Sequence, residues 1–143
     1  MPMPNHTSKR EPLLGDRRGS SIVLTLGAME ITFTINVYED GRPGEVFVHV
    51  FSPSTLGVAA PETDSLLHAL ARSVSLGLQY GVPVEVYIEQ LRHIRSDVAG
   101  FVTGHAQIRY ARSIPDLLAQ WLRIKFMPEM EDADVKKAIS ESA

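Results

Sequence analysis

The sequence lacks cysteine entirely, and only 7% of its residues are aromatic. Without thiols, this chain can form no disulfide, no thiolate-bound metal site and no dithiol redox couple. No stretch reaches the ~18 to 20 apolar residues that a membrane span needs, and no apolar segment of a secretory signal follows the basic start. A formal net charge of −3 gives no basic field for nucleic acid. We therefore expect a cytoplasmic protein with no membrane or nucleic-acid partner.

What is present suits one globular domain. The 143 residues are 44% hydrophobic and 22% charged, which is enough apolar mass for a single core. Both ends are rich in charge, basic at the start and acidic at the finish. We therefore expect a flexible basic arm over residues 1–20, an ordered domain over residues 21–127, and an acidic tail over residues 128–143.

The first half of the expected domain has a hydrophobic period of two, which is typical of strands. Ser21–Leu26 is a run of residues that favour strands, and alternation continues over Ile31–Tyr38 and Glu45–Phe51. Residues 39–44 between the last two runs supply turn chemistry, because they include two glycines and a proline. The pattern predicts an antiparallel meander of about three strands.

The period changes to about 3.6 from residue 62 onward, which predicts helices. The first begins at residue 61 or 62 and ends at Tyr80, where Gly81 stops it, and Pro83 opens the second. Residues 95–107 are interpreted as a loop.

A third helix is predicted after Ser113, which is a suitable N-cap because Pro115 and Asp116 follow in the first turn. Strands that precede helices without alternation indicate an α+β fold. We expect a small antiparallel β-meander of about three strands packed on three C-terminal helices.

The histidines show no metal-ligand spacing, and His68 and His93 are expected on polar helix faces. The alternative is a site of three histidines from different elements. The sequence also contains no phosphate-binding glycine loop and no nucleophile elbow. We therefore expect no catalytic residue, no metal site and no cofactor. The five histidines are His6, His49, His68, His93 and His105.

Two carboxylates flank the turn between the second and third predicted strands. Asp40 and Glu45 could pair for acid–base chemistry. Alternatively, Asp40 forms the turn before Gly41, and Glu45 forms a salt bridge with Arg42.

The segment between residues 89 and 125 is locally basic, and arginine side chains match the geometry of phosphate and carboxylate groups. The alternative is a solvated face of scattered arginines. The residues that we expect to bind a ligand are Arg42, Glu45, Arg72, Arg92, Arg95, Arg109 and Arg112.

Five segments together resemble the TSCPD domain, which occurs near the C-terminus of adenosylcobalamin-dependent ribonucleotide reductases and as small stand-alone proteins. They are Ile31–Val48, Leu70–Pro83, Ile88–Arg95, Arg112–Asp116 and Trp121–Phe126. The resemblance covers about residues 22–127. The structural positions that it marks are Asn36, Asp40, Gly41, Pro43, Gly81, Ser113, Pro115 and Asp116.

The segment that names the domain departs from its pattern twice, with Arg112 in place of Thr and Ile114 in place of Cys. Because the chain has no cysteine, the thiyl-radical chemistry of a reductase is excluded for this chain alone. The resemblance implies a stand-alone, non-catalytic accessory or regulatory module that docks on ribonucleotide reductase or another nucleotide-metabolism enzyme. The alternative is an oligomeric protein that holds a nucleotide or nucleotide-derived signal in Arg-lined pockets.

A three-stranded sheet leaves two open edges and one uncovered face. Association of copies would bury either the outer sheet face or a strand edge. We therefore expect a homo-oligomer.

Overall fold

The computed structural model describes residues 9–51 and 59–130, and within them five strands and three helices follow one another along the chain. The elements, in order, are β1 Arg18–Leu26, β2 Met29–Val37, β3 Pro43–Phe51, α1 Ala59–Gln79, α2 Val84–Leu91, β4 Gly100–Thr103, β5 Tyr110–Ala111 and α3 Ile114–Phe126. The strands form one sheet in the order β3-β2-β1-β4-β5, and every neighbouring pair is antiparallel.

The prediction of about three strands is wrong, because the sheet has five. β4 lies inside the segment interpreted as a loop, and β5 follows it, so two strands separate α2 from α3. With four and two residues, these strands are too short to show an alternating pattern. They are identified by their pairing, since Leu26 of β1 lies opposite Val102 of β4. The α+β class is correct.

The strands β1 to β3 form because alternate residues are apolar and face one side. On β2, Ile31, Phe33 and Ile35 are fully buried, while the threonines between them are half-buried on the other side. Phe33 stacks on Trp121 of α3, with ring centroids 5.8 Å apart. The core therefore lies between the inner face of the sheet and the helices.

The hairpin between β2 and β3 depends on turn residues that the sequence identified. Gly41 has φ +92°, which is costly for any residue with a Cβ. The backbone N–H of Gly41 donates to the carbonyl of Tyr38, and the N–H of Tyr38 donates to the carbonyl of Arg42. These bonds place Pro43 at the start of β3.

Part of the expected basic arm lies against the domain. The N–H of Glu11 donates to the carbonyl of Gln79, and its own carbonyl accepts the hydroxyl of Tyr38. Leu13 is buried at 6% exposure. Residues 1–8 and most of the expected acidic tail lie outside the described residues, so the boundaries of arm and tail stay predictions.

Candidate functional site

Side chains of α1 pair with the outer edge of β3. Gln79 donates from Nε2 to the carbonyl of Gly44 at 2.9 Å, and Ser75 Oγ accepts the N–H of Val46 at 2.8 Å. The carboxylate of Asp64 accepts a second N–H of the strand, that of Val50, at 3.1 Å. A helix therefore covers part of an edge that would otherwise template pairing with another chain. The open edge that our oligomer prediction invoked is partly closed by the chain itself.

A cleft of about 710 Å³ opens between α1 and the outer side of β3. Backbone and side chains of the strand form one wall, and Arg72 extends from the helix on the other. Arg72 is exposed and makes no ion pair with any described residue. Arg10 also lines the cleft, where its Nε donates to Gln79. The cleft therefore combines apolar surface with guanidinium groups that suit an anion.

His49, Asp64 and His68 meet at the cleft. His68 Nε2 lies 3.5 Å from Asp64 Oδ1, and His49 Nδ1 lies 3.9 Å from the same oxygen. One donor atom from each residue lies within 4.8 Å of the other two. Three metal-ligating groups thus converge from one strand and one helix.

A second, smaller pocket of about 190 Å³ lies where α2, β5 and α3 meet. Arg92, Arg112 and Arg123 line it. Arg92 pairs with Glu89 at 3.1 Å, and Arg123 donates to the carbonyl of Met130 at 3.1 Å. Three arginines therefore line one pocket in a part of the chain that the sequence identified as locally basic.

Asp116 forms the inner wall of that pocket and is only 4% exposed. Its Oδ1 accepts the N–H of His93 at 2.8 Å, and its Oδ2 accepts the N–H of Arg112 at 2.9 Å and Nε2 of Gln120 at 3.2 Å. Its own N–H donates to Oγ of Ser113. Asp116 therefore joins the end of α2 to the start of α3, which is a structural role.

The outer face of the sheet exposes large apolar side chains. Phe101 is 81% exposed and packs edge-on against Tyr110, with centroids 6.1 Å apart. Val23 and Phe47 are each 52% exposed, and Phe51 is 63% exposed. No described helix covers this face, and polar residues of β2 separate Val23 from Phe47 and Phe51. Phe101 and Tyr110 are the exposed aromatic pair in contact, and exposed apolar clusters commonly mark an interaction site.

The candidate ligand residues do not share one pocket. Arg92 and Arg112 line the small pocket, and Arg72 and Glu45 line the cleft. The others lie elsewhere among the described residues. Arg42 lines a third hollow beside the arm, while Arg95 and Arg109 are exposed and line none of the three.

The two carboxylates at the β2–β3 turn bond to different partners. Arg42 donates its backbone N–H and its Nε to Asp40, at 3.0 and 2.7 Å. The backbone bond first, and then the guanidinium, hold the pKa of Asp40 below its usual range. Glu45 bonds to Arg17 at 2.7 Å and to Asn36 at 3.1 Å, not to Arg42. Asp40 therefore stabilises the turn, and Glu45 links β3 to β2 and to the arm through hydrogen bonds.

Burial raises the pKa of Tyr38, and the negative charge of Glu11 raises it further. The pKa of Tyr87 is also raised by burial. Both hydroxyls therefore stay protonated at neutral pH and act as hydrogen-bonding or packing groups.

Sequence reasoning missed the contributions of Arg10, Asp64 and Arg123 to these sites. Asp64 and His68 stand four residues apart on α1, which places them on one face. That spacing was the available signal, but the third member, His49, comes from a strand far away in the sequence.

In a comparison with protein families, the model of the TSCPD domain matches residues 11–126. Among the described residues, no helix is both long enough and apolar enough to cross a membrane. No solved structure matches the chain.

Several curated proteins are similar to most of this chain. A vitamin B12-dependent ribonucleotide reductase of Bradyrhizobium diazoefficiens is 33% identical over 127 residues, which are 89% of this chain and 10% of the relative. A protein of the same description from Rhodopirellula baltica is 32% identical over 83% of this chain and 11% of the relative. Another, from Streptantibioticus cattleyicolor, is 35% identical over 83% of this chain and 19% of the relative. The chain thus spans between a tenth and a fifth of the length of these relatives.

Proposed function

The chain belongs to the TSCPD domain family, and we propose that it is a non-catalytic accessory or regulatory module that docks on a ribonucleotide reductase. In the relatives, a segment similar to this chain shares a polypeptide with a much longer remainder. The proposed partner is the equivalent of that remainder, whether it lies in the same polypeptide or in another. The cytoplasmic location that we expect agrees with such a partner.

The observation that carries this proposal is the exposed outer face of the sheet. Phe101 and Tyr110 stand on the short strands β4 and β5, where they form an aromatic pair open to solvent. Exposed aromatic residues at the centre of an interface commonly supply most of its binding energy. A folded domain that keeps Phe101 81% exposed gains from a partner that covers it.

The proposal is tested with the Bradyrhizobium diazoefficiens relative from which the segment similar to this chain has been deleted. Fluorescence anisotropy of the labelled chain, titrated with the shortened reductase, should report micromolar or tighter binding. Retained cobalamin binding by the shortened reductase shows that it is folded. Full-length reductase should bind more weakly, because its own segment occupies the surface.

Two variants make this test specific. The double substitution Phe101→Ser and Tyr110→Ser should weaken binding at least tenfold. Leu66→Ser changes a residue on α1 that is 62% exposed and should leave binding unchanged. Absence of binding by the unmodified chain, or equal binding by all three proteins, would reject the proposal. Self-association through the same face would instead appear as a concentration-dependent mass without reductase.

A second candidate function is the binding of a nucleotide or nucleotide-derived ligand by an oligomer of the chain. The observation that favours it is the convergence of Arg92, Arg112 and Arg123 on one pocket. Guanidinium groups bind phosphate oxygens in bidentate geometry. Calorimetric titration with nucleoside triphosphates should then give saturable heat that Arg112→Gln removes and Arg95→Gln, outside the pocket, preserves. Titrations without heat reject this candidate.

A further inference from the structure

His49, Asp64 and His68 are brought together by the packing of α1 on β3. His49 belongs to the strand, whereas the other two stand one turn apart on the helix. The two His–Asp contacts are 3.5 and 3.9 Å long, which exceeds the usual 2.7–3.2 Å of an N–H···O hydrogen bond. Hydrogen bonding among the three groups therefore does not account for their convergence.

The spacing of the three groups is close to that of a metal-ligand set. Zinc bonds of about 2.0–2.1 Å in tetrahedral geometry separate neighbouring ligand atoms by about 3.3 Å. Here all three donor atoms lie within 4.8 Å of one another. The side chains of His49 and His68 are 67% and 52% exposed, so both imidazoles have room to rotate toward a shared ion.

Asp64 is already held in place by the protein. Its Oδ1 accepts the N–H of Val50 at 3.1 Å, and its side chain is only 27% exposed. Metal-binding carboxylates are generally oriented by such an outer hydrogen bond. The bond fixes the carboxylate between the two imidazoles, so one ligand needs no ordering when an ion binds.

We propose that His49, Asp64 and His68 form a binding site for a divalent transition-metal ion, with Zn²⁺ as its occupant. Two imidazoles and a carboxylate suit zinc, whereas Mg²⁺ and Ca²⁺ prefer sites made of oxygen ligands. The proposal reverses our expectation of no metal site. It is independent of the docking proposal.

Three protein ligands leave a fourth position of a tetrahedral ion for water or another ligand. His49 and His68 line the 710 Å³ cleft, and so does Arg72, one turn beyond His68 on α1. A ligand that reaches the ion from the cleft therefore passes a guanidinium. The arrangement fits an anion, such as a phosphate or carboxylate group, bound jointly by the metal and Arg72.

The test uses the full chain without an added histidine tag, titrated with Zn²⁺ in competition with a chromophoric chelator. We expect one ion per chain with a micromolar or lower dissociation constant. His49→Gln and His68→Gln should each weaken binding at least tenfold. The matched control is His105→Gln, which changes a histidine outside the cluster and should leave affinity unchanged.

Two further measurements distinguish a specific metal site formed by the fold from non-specific metal binding by surface histidines. Co²⁺ should give the strong visible absorption of a four-coordinate ion, and this should be lost in both cluster variants. Because the ion joins β3 to α1, Zn²⁺ should raise the melting temperature of the unmodified chain but not that of His49→Gln. Circular dichroism shows that each variant is folded. No zinc binding, or equal affinity in all three histidine variants, would overturn the proposal.

Discussion

Replacement of Asp116 by Asn removes the charge of a buried carboxylate that joins α2 to α3. The carboxylate accepts three hydrogen bonds, two from backbone N–H groups and one from Gln120. The amide of Asn has nearly the same shape but only one accepting oxygen. Whichever way it rotates, its NH₂ group faces a backbone N–H of His93 or of Arg112.

The expected loss of stability follows from those bonds. A buried donor without an acceptor costs about 1–3 kcal/mol, and hydrogen bonds to charged groups contribute about 1.5–3 kcal/mol. Loss of the negative charge in the first turn of α3 adds about 0.3–1 kcal/mol. We therefore expect Asp116→Asn to lower the free energy of unfolding by about 2–4 kcal/mol. At about 4 °C per kcal/mol for a domain of this size, the melting temperature falls by about 8–16 °C.

Urea unfolding followed by the fluorescence of Trp121 measures this change, because that side chain is buried at 4% exposure in the core. Asp97→Asn is the matched control, since Asp97 is exposed and bonds to no other described residue. It should change stability by less than about 0.5 kcal/mol. If Asp116→Asn costs no more than this control, the structural role assigned to Asp116 is wrong.

Three further predictions concern the segment Arg112–Asp116 and two turns. Ile114→Cys should lower the free energy of unfolding by about 1–2 kcal/mol. Because residue 114 is 4% exposed, the new thiol should react slowly with thiol reagents in the native protein. Rapid labelling of that thiol would contradict this. Gly104→Ala should cost about 2–4 kcal/mol in thermal unfolding, since φ is +111° and the added Cβ would lie 2.6 Å from a backbone oxygen of β1. Gly100→Ala, with no atom within 4 Å of its added Cβ, should cost little, and equal losses would refute the steric argument. NMR titration should give Asp40 a pKa below its ordinary 3.8. Arg42→Gln should raise that pKa only partly, because the backbone N–H remains. The Asp40 carboxylate therefore stabilises the fold above its unfolded-state pKa, and its contribution is lost as the pH falls through the native pKa. A full return of the Asp40 pKa to 3.8 in Arg42→Gln would contradict the backbone hydrogen bond as the larger cause of the shift.

Local patterns predicted the elements that carry their own signals. β2 alternates over nine residues, and Ser113 caps α3 by accepting the N–H of Asp116, as the sequence suggested. Such features depend on neighbours a few residues away, so a sequence displays them directly. The α+β class followed from the same signals.

Short strands and long-range contacts were not predictable in this way. β5 has two residues, and its identity depends on pairing with Phe101 and Gly100 of β4. The cluster of His49 with Asp64 and His68 depends on how α1 lies along β3, which no spacing in the sequence reveals. For the same reason, the arginines could be identified as a basic segment but not assigned to separate pockets.

The pairing of α1 side chains with β3 bears on how the domain can associate. Gln79, Ser75 and Asp64 occupy edge positions that would otherwise be open to a strand of another chain. The α1 side chains thus cover part of this edge, whereas no described helix covers the outer face. We therefore propose docking through the face and not through this edge.

Hydroxyl-radical footprinting of the chain, alone and with the shortened ribonucleotide reductase, shows directly whether the outer sheet face is the docking surface. We expect oxidation of Phe101 and Tyr110 to slow severalfold in the mixture, because the partner covers that face. Tyr80, which is 40% exposed at the end of α1, should react at the same rate in both samples. Unchanged oxidation of Phe101 and Tyr110, or protection of Tyr80 alone, would contradict docking through this face.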